Sequence, residues 1–254
     1  MRPVAPHPAL APFVRDLMIV EVRDETHRLR MPEPGLVLAV RYRGVASIGN
    51  GESEQRLPDV TLTGMAVHAR PMRTSANGGV VLVRFRPGGA ARFFSQPMHE
   101  LFETSTDLTD VVPREVVARV HARVGEARDD RERVGAIEEF LFAGQRAHAD
   151  PLVTAAVHRL GAEGPERIRA LAGDLGLSLD AFEKRFRRVV GCTPKQFASL
   201  VRLRRAIASY RPGMSLTQVA LDAGYYDQAH FSRELRAATG RAPGAFFRQH
   251  PADP

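Results

Sequence analysis

Four residues near the C-terminus carry side chains suited to reading the edges of base pairs. Gln228 and Ser232 stand four positions apart, and Ala229 and Arg233 repeat that spacing beside them. On a helix, residues four apart share a face. Glutamine suits adenine, arginine grips guanine bidentately, and an alanine methyl fits against a thymine methyl. A second set, Asp180, Glu183 and Lys184, lies on the polar side of an earlier amphipathic stretch. These seven are the candidate base-reading residues. Beside the first set of polar positions stand candidate phosphate contacts at Ser178, Arg187, Arg188 and Lys195, with Arg204 further on. Asp227, His230 and Arg236 accompany the later set. Such contacts fix register on DNA and carry no sequence information themselves. His230 has no ligand-type residues at metal spacing, so a polar or phosphate contact is expected there rather than a metal.

Both sets sit inside one pattern written twice. Ile168, Ala172 and Gly176 recur as Leu216, Ala220 and Gly224 at an offset of 48. Phe182, Phe186, Gly191, Pro194 and Phe197 recur as Phe231, Leu235, Gly240, Pro243 and Phe246 at an offset of 49. Each copy reads as a short helix, a turn at glycine, an amphipathic helix, a glycine stop and a proline restart. That is helix-turn-helix organisation in tandem. The first unit comprises helices Arg167–Leu175 and Leu179–Val190, capped by Ser178, with a buried stripe at Phe182, Phe186 and Val189. The second comprises Leu216–Ala223, capped by Ser215, and Gln228–Thr239, capped by Asp227, with its stripe at Phe231, Leu235 and Ala238. Between them Thr193 and Pro194 start a connector, Pro194–Tyr210, spanning about 24 Å at 1.5 Å per residue. Lys195, Arg202, Arg204 and Arg205 on it are expected to reach toward the DNA backbone. Adjacent major-groove segments on one DNA face lie about 34 Å apart, within reach of two helices so joined.

Charge follows the same division. Residues 1–151 hold 20 Arg and 20 Asp/Glu, whereas residues 152–254 hold 16 Lys/Arg and 9 Asp/Glu. The whole excess of +7 therefore falls on the half with the repeat, as an anionic partner such as nucleic acid requires. The single cysteine, Cys192, excludes an intramolecular disulfide and a multi-cysteine zinc site. It sits at a helix end with no activating His–Asp arrangement, as a filler rather than a nucleophile. The N-terminus lacks the apolar core of a signal peptide, and no apolar run approaches a membrane span, so a cytoplasmic protein without a membrane partner is expected.

The first half reads differently. Residues 1–12 are proline-rich and expected to be irregular. Val14–Val22, Leu36–Tyr42, Val60–Thr63 and Val80–Phe85 are short runs of Val, Leu and aromatics divided by turn residues, among them Gly49–Asn50–Gly51. They suggest a curved or barrel-like antiparallel sheet. In Arg84–Gly89 the paired glycines lack the spacing of a phosphate loop, so a turn is favoured over an anion site, and Ala90–Phe94 is expected to begin a helix packed on the sheet. Val111–Val124 and Glu132–Phe142 are amphipathic helices that either cover the sheet or pair two protomers. Domain boundaries follow: residues 1–145 a β-rich sensory or dimerisation domain with C-terminal helices, 146–151 a linker closed by Asp150–Pro151, and 152–254 the DNA-facing domain. Within the last, Leu152–Leu160 opens a helix ended by Gly161 and Gly164–Pro165. The two units occupy about 167–191 and 215–240.

Residues 168–247 resemble the DNA-binding domain of AraC/XylS-type transcriptional regulators. Val219–Arg233 (VALDAGYYDQAHFSR) and Gly240–Arg248 (GRAPGAFFR) carry the likeness most plainly. It departs at Leu235, where the family usually has Phe, and at Ala242, where Ser or Thr usually caps the last helix. The resemblance implies a seven-helix domain binding double-stranded promoter DNA, commonly to activate transcription with RNA polymerase as a further partner. It also implies a homodimer, and an N-terminal cupin-like domain that senses a small-molecule effector. The segment Arg84–Phe94 (RFRPGGAARFF) is similar to one in an N-terminal type of that family. The overall expectation is α+β: a β-rich, cupin-like or half-barrel domain with flanking helices, followed by an all-α domain of two helix-turn-helix units.

Other classes fare worse. A cupin-like enzyme fused to a DNA-binding module would bring a His-x-His with a Glu and a further His, but His27, His68, His99 and His121 are scattered singly. A DNA-repair protein of this kind needs both a cysteine metal cluster and an acceptor cysteine, which Cys192 alone cannot supply. No catalytic residue, metal or cofactor is therefore expected. An adaptor that had lost DNA binding would show an eroded reading face, whereas Lys184, Gln228 and Arg233 remain. The two faces differ in chemistry, so one monomer is expected to read two unlike half-sites.

Overall fold

Period-two patterning builds the first half of the chain. The computed structural model describes residues 2–49, 51–146, 150–162 and 167–249. Among them the strands are β1 (Arg2–Val4), β2 (Val14–Val22), β3 (Thr26–Arg30), β4 (Val37–Arg43), β5 (Ala46–Ile48), β6 (Gln55–Arg56), β7 (Val60–Thr63), β8 (Arg70–Thr74), β9 (Gly78–Phe85) and β10 (Ser105–Asp107). They form two antiparallel sheets, ordered β1-β2-β9-β4-β7-β10 and β3-β8-β5-β6. Register lines up apolar rows across the larger sheet. Leu17 faces Val83, Val83 faces Leu38, and Leu38 faces Leu62. Ile19, Val81, Val40 and Val60 make the parallel row. Cross-strand pairs of this kind are what hold a sheet to one register.

Helices α1 (Arg114–Glu126) and α2 (Asp130–Gly144) pack against each other, and α1 lies on β4. Val117, Val120 and Val124 join the sheet's core, and His121 Nε2 lies 2.8 Å from the Arg41 carbonyl. α1 therefore covers part of the sheet, and α2 packs on α1. The smaller sheet has only a minor core of Ala46, Ile48 and Leu57 with Met72.

The four expected strands appear, two of them with the expected bounds. The others were not visible locally. Arg2–Val4 pairs with Leu17–Ile19 at a sheet edge, where Pro3 is tolerated. Thr26–Arg30 and Arg70–Thr74 are polar and mostly half-buried or exposed, so they lack an apolar alternation and exist through mutual pairing. The helix expected to begin at Ala90–Phe94 is only a 3-10 turn, Gly89–Arg92. Phe93 and Phe94 are consecutive yet both buried, and both pack on Phe85.

The second half is helical: α3 (Pro151–Gly161), α4 (Ile168–Asp174), α5 (Leu179–Val190), α6 (Pro194–Ser209), α7 (Leu216–Asp222), α8 (Gln228–Thr239) and α9 (Pro243–Gln249). Asp150 caps α3 through Oδ1, accepting from the amides of Leu152 and Val153 at 3.1 and 3.3 Å. Part of the expected linker (147–149) and the Gly164–Pro165 stop lie outside the described residues, as does Asn50 in the expected Gly49–Gly51 turn. The larger core runs without interruption from Leu10 through the sheet and α1–α2 into α3, α4, α5 and the first half of α6, ending at Leu200. A separate cluster from Leu203 to Phe247 serves α7–α9. No described helix is long and apolar enough to cross a membrane.

Candidate nucleic-acid interface

Each helix-turn-helix unit is assembled by local signals. Gly176 and Gly224 hold φ of +70° and +85° between the paired helices, the left-handed conformation in which a side chain would be strained. Ser178 Oγ accepts from the Ala181 amide at 3.3 Å and starts α5, while Asp227 Oδ1 accepts from the His230 amide at 2.6 Å and starts α8. Thr193 and Gln196 form a reciprocal capping box at the start of α6. Ser215 occupies the cap position of α7 but makes no side-chain cap bond.

Burial then decides which side faces out. Phe182 and Phe186 are buried, as expected. The third member of the stripe is Val190 rather than Val189, which is only half-buried and instead faces the sheet domain near Gly88. Both residues lie within the helical period, and the neighbouring domain selects between them. Phe182, Phe186 and Phe197 form edge-to-face contacts at 5.7 Å each. In unit two, Phe231, Leu235 and Ala238 are buried as expected. Leu235 has no ring to bridge Phe231 and Phe246, and Tyr225 packs on Phe231 at 5.3 Å.

On α5, Asp180, Lys184, Arg187 and Arg188 are exposed and Glu183 is half-buried. On α8, Gln228, Ala229, Arg233 and Arg236 are exposed and Ser232 is half-buried. Gln228 Oε1 accepts from Thr217 Oγ1 at 2.8 Å, which orients the amide and leaves its NH2 and a second lone pair of that oxygen for a base edge. His230 presents its ring edge to Tyr225 at 5.2 Å. The Asp227 carboxylate serves the cap, and its charge opposes a phosphate; Ser178 pairs the same cap role with a hydroxyl that can donate to a phosphate oxygen.

The connector departs most from expectation. Of its four cations, only Lys195 is fully exposed. Arg202 lies 3.2 Å from Glu234 and 4.7 Å over the Tyr225 ring, and Ser199 also hydrogen-bonds Glu234. Burial raises the Tyr225 phenol above its usual range. Arg204 donates to the Pro32 carbonyl at 2.9 Å and sits 3.4 Å from Glu33, so the sheet domain engages it in this arrangement. Arg205 donates to the carbonyls of Gly161 and Ala162 at 3.0 and 3.1 Å, completing the end of α3. The physical reason is that α6 packs against α3, α5, α7 and α8, so most of its circumference is contact surface. Tyr226, 88% exposed just before α8, is a contact candidate that sequence reasoning missed.

Cys192 is 2% exposed, its thiol donates to Met65 Sδ at 3.8 Å, and burial pushes it up to about 12. It is a packing residue at the seam, without the thiolate character a nucleophile needs. Among the described residues no group of three His, Cys, Asp or Glu is placed to hold a metal ion.

Residues 171–249 match the family described as "Helix-turn-helix domain", and residues 2–107 match "Domain of unknown function (DUF6597)". No curated protein matches the chain. Among solved structures, ToxT from Vibrio cholerae is similar at 11% identity, covering 91% of this chain and 97% of that one with a TM-score of 0.48. A regulator with an AraC-type DNA-binding domain from Chromobacterium violaceum is 25% identical over 41% of this chain and 96% of that one, TM-score 0.36. A probable AraC family transcriptional regulator from Rhodopseudomonas palustris is 27% identical over 41% and 100%, TM-score 0.35. Residues 171–249 are thus similar to a helix-turn-helix family, and residues 2–107 to a family of undefined function.

Proposed function

We propose that this chain activates transcription by reading two unlike half-sites in promoter DNA, under control of its N-terminal half. The observation that supports this most is the pairing of two recognition helices with matching buried stripes and different outward faces. Asp180, Glu183 and Lys184 would meet bases in one major-groove segment, and Gln228, Ala229, Ser232 and Arg233 in the next. Arg187, Arg188, Lys195 and Arg236 would lie along phosphates, with Ser178 and His230 as further contacts. In this reading residues 152–254 bind DNA and residues 1–145 regulate through a small-molecule effector. Its extension to RNA polymerase and a homodimer rests on the resemblance alone.

Selection of bound sites from random DNA, followed by titration over a range of salt, tests the reading. The expected result is one asymmetric consensus with two unlike halves and an affinity falling steeply with salt. Sequence-indifferent binding, or none, would refute it.

A further inference from the structure

The seam between the two halves holds a cleft of about 700 Å³, in the range of small-ligand sites. Its walls come from both halves. The sheet domain contributes Phe13, the Pro87–Gly88–Gly89 turn, Arg92 and Phe94; the helical domain contributes Val153 and Val157 on α3 and Arg188 and Val189 on α5. Gly88, at φ +77°, lets the turn approach α5: a Cβ there would stand 3.3 Å from Val189.

The lining is apolar at depth and cationic at the rim. Phe94 and Val153 are buried, and Phe13, Val157 and Val189 are half-buried. Four guanidinium groups border them: Arg86, Arg92, Arg146 and Arg188. The one carboxylate in the lining, Asp150, is already engaged, through Oδ1 by the α3 cap and through Oδ2 by Arg185. Among the described residues no carboxylate pairs with Arg86, Arg92, Arg146 or Arg188. Arg92 packs over the Phe13 ring at 5.5 Å, and its Nε is buried without a hydrogen-bond partner. Buried donors of this kind are normally satisfied. Guanidinium groups match carboxylate and phosphate oxygens in geometry as well as charge.

We infer that this cleft binds a small organic anion, an apolar body seated on Phe94 and Val153 with a carboxylate or phosphate head among the arginines. This deepens the regulatory reading above, on which it rests, by naming the chemistry the chain would sense. The turn at Arg86–Gly89 is no phosphate loop, since the Gly89 amide is spent on the Arg86 carbonyl at 2.8 Å. The anion contacts would come from the side chains around it. Arg188 belongs both to this cleft and to the outward face of α5, so an occupant would touch the recognition helix of unit one directly.

Calorimetric titration of the full chain with octanoate, octyl phosphate and octanol tests this. At least one anion should bind ten-fold or more tighter than octanol, and the preferred anion identifies the head group. Arg146→Gln should weaken that anion at least five-fold, Thr154→Trp should abolish its binding by filling the cleft, and Arg131→Gln, on α2, should leave it unchanged. If Thr154→Trp does not fold by circular dichroism, Arg146→Gln carries the test. Octanol binding as tightly as both anions, no binding by any probe, or binding undiminished in folded cleft variants would overturn the inference. DNA binding of the same ligand-free preparation is measured alongside. Intact sequence-specific DNA binding with no anion binding defeats this inference alone. Anion binding without DNA binding defeats the proposed function alone.

Discussion

The two helix-turn-helix units share one pattern but are built into the molecule differently. Unit one has no core of its own. Phe182, Phe186 and Val190 belong to the same cluster as Leu38 and Val81 in the sheet, and a Cβ at Gly191 would meet the Met98 carbonyl at 3.2 Å. Unit two closes its own core around Phe231, Leu235 and Phe246, with Met31 the sheet domain's packing contribution to it. It touches that domain through few polar links, among them the Ala69 amide donating to the Ala238 carbonyl at 2.6 Å, while Arg204 on the connector before it reaches Glu33 and Pro32. Repetition in sequence therefore does not mean equivalence in energetics. One recognition helix is welded to the sheet domain and the other is docked onto it.

Core deletions give the largest effects and the sharpest separation. Phe186→Ala and Phe231→Ala should each cost about 3–5 kcal/mol, since each removes a fully buried ring. Hydrogen exchange should show Phe186→Ala loosening the sheet as well as α5, and Phe231→Ala loosening only α7–α9. Equal spreading from both sites would erase the distinction. Next come the reading faces. Arg233→Ala and Lys184→Ala should each weaken specific DNA binding by about 1–3 kcal/mol if both units meet bases, measured as the ratio of specific to nonspecific Kd. A loss confined to Arg233→Ala would leave unit one as a positioning element.

The caps compare the units at smaller scale. Ser178→Ala and Asp227→Ala should each cost about 1 kcal/mol in thermal unfolding. Any excess DNA-binding defect in Ser178→Ala over Asp227→Ala would separate a phosphate contact from a pure cap. Arg204→Ala should have the smallest effect, about 0.5–1 kcal/mol, because its ion pair is partly solvated. Exchange should quicken in α8 and remain unchanged in α5. A fall in DNA affinity with unchanged exchange would return Arg204 to the phosphate contacts.

Much of the helical domain was legible because its signals are local. The bounds of α5 and α8 match expectation residue for residue, since cap, amphipathic stripe and glycine stop all lie within a dozen neighbouring positions. The strands β2 and β7 were legible for a like reason, a β-branched run between turn residues. The strands β3 and β8 were not, because their stability lies in a partner forty or more residues away. The outward residues of α5 and α8 were also readable, as the complement of the stripe. The fates of Arg202, Arg204 and Arg205 were not, since a basic residue on a helix looks the same whether it faces phosphate, Glu234 or a backbone carbonyl.

By itself the sequence determined the tandem units, their helix limits and the side on which each presents polar groups, because helical period and capping act over a single turn or two. Only the tertiary structure decided that Val190 rather than Val189 is core, that the connector's arginines pair within the protein, and that unit one shares the sheet's core while unit two closes a separate one. Those outcomes depend on which surfaces meet across the seam, and burial against a distant partner leaves no mark in local spacing.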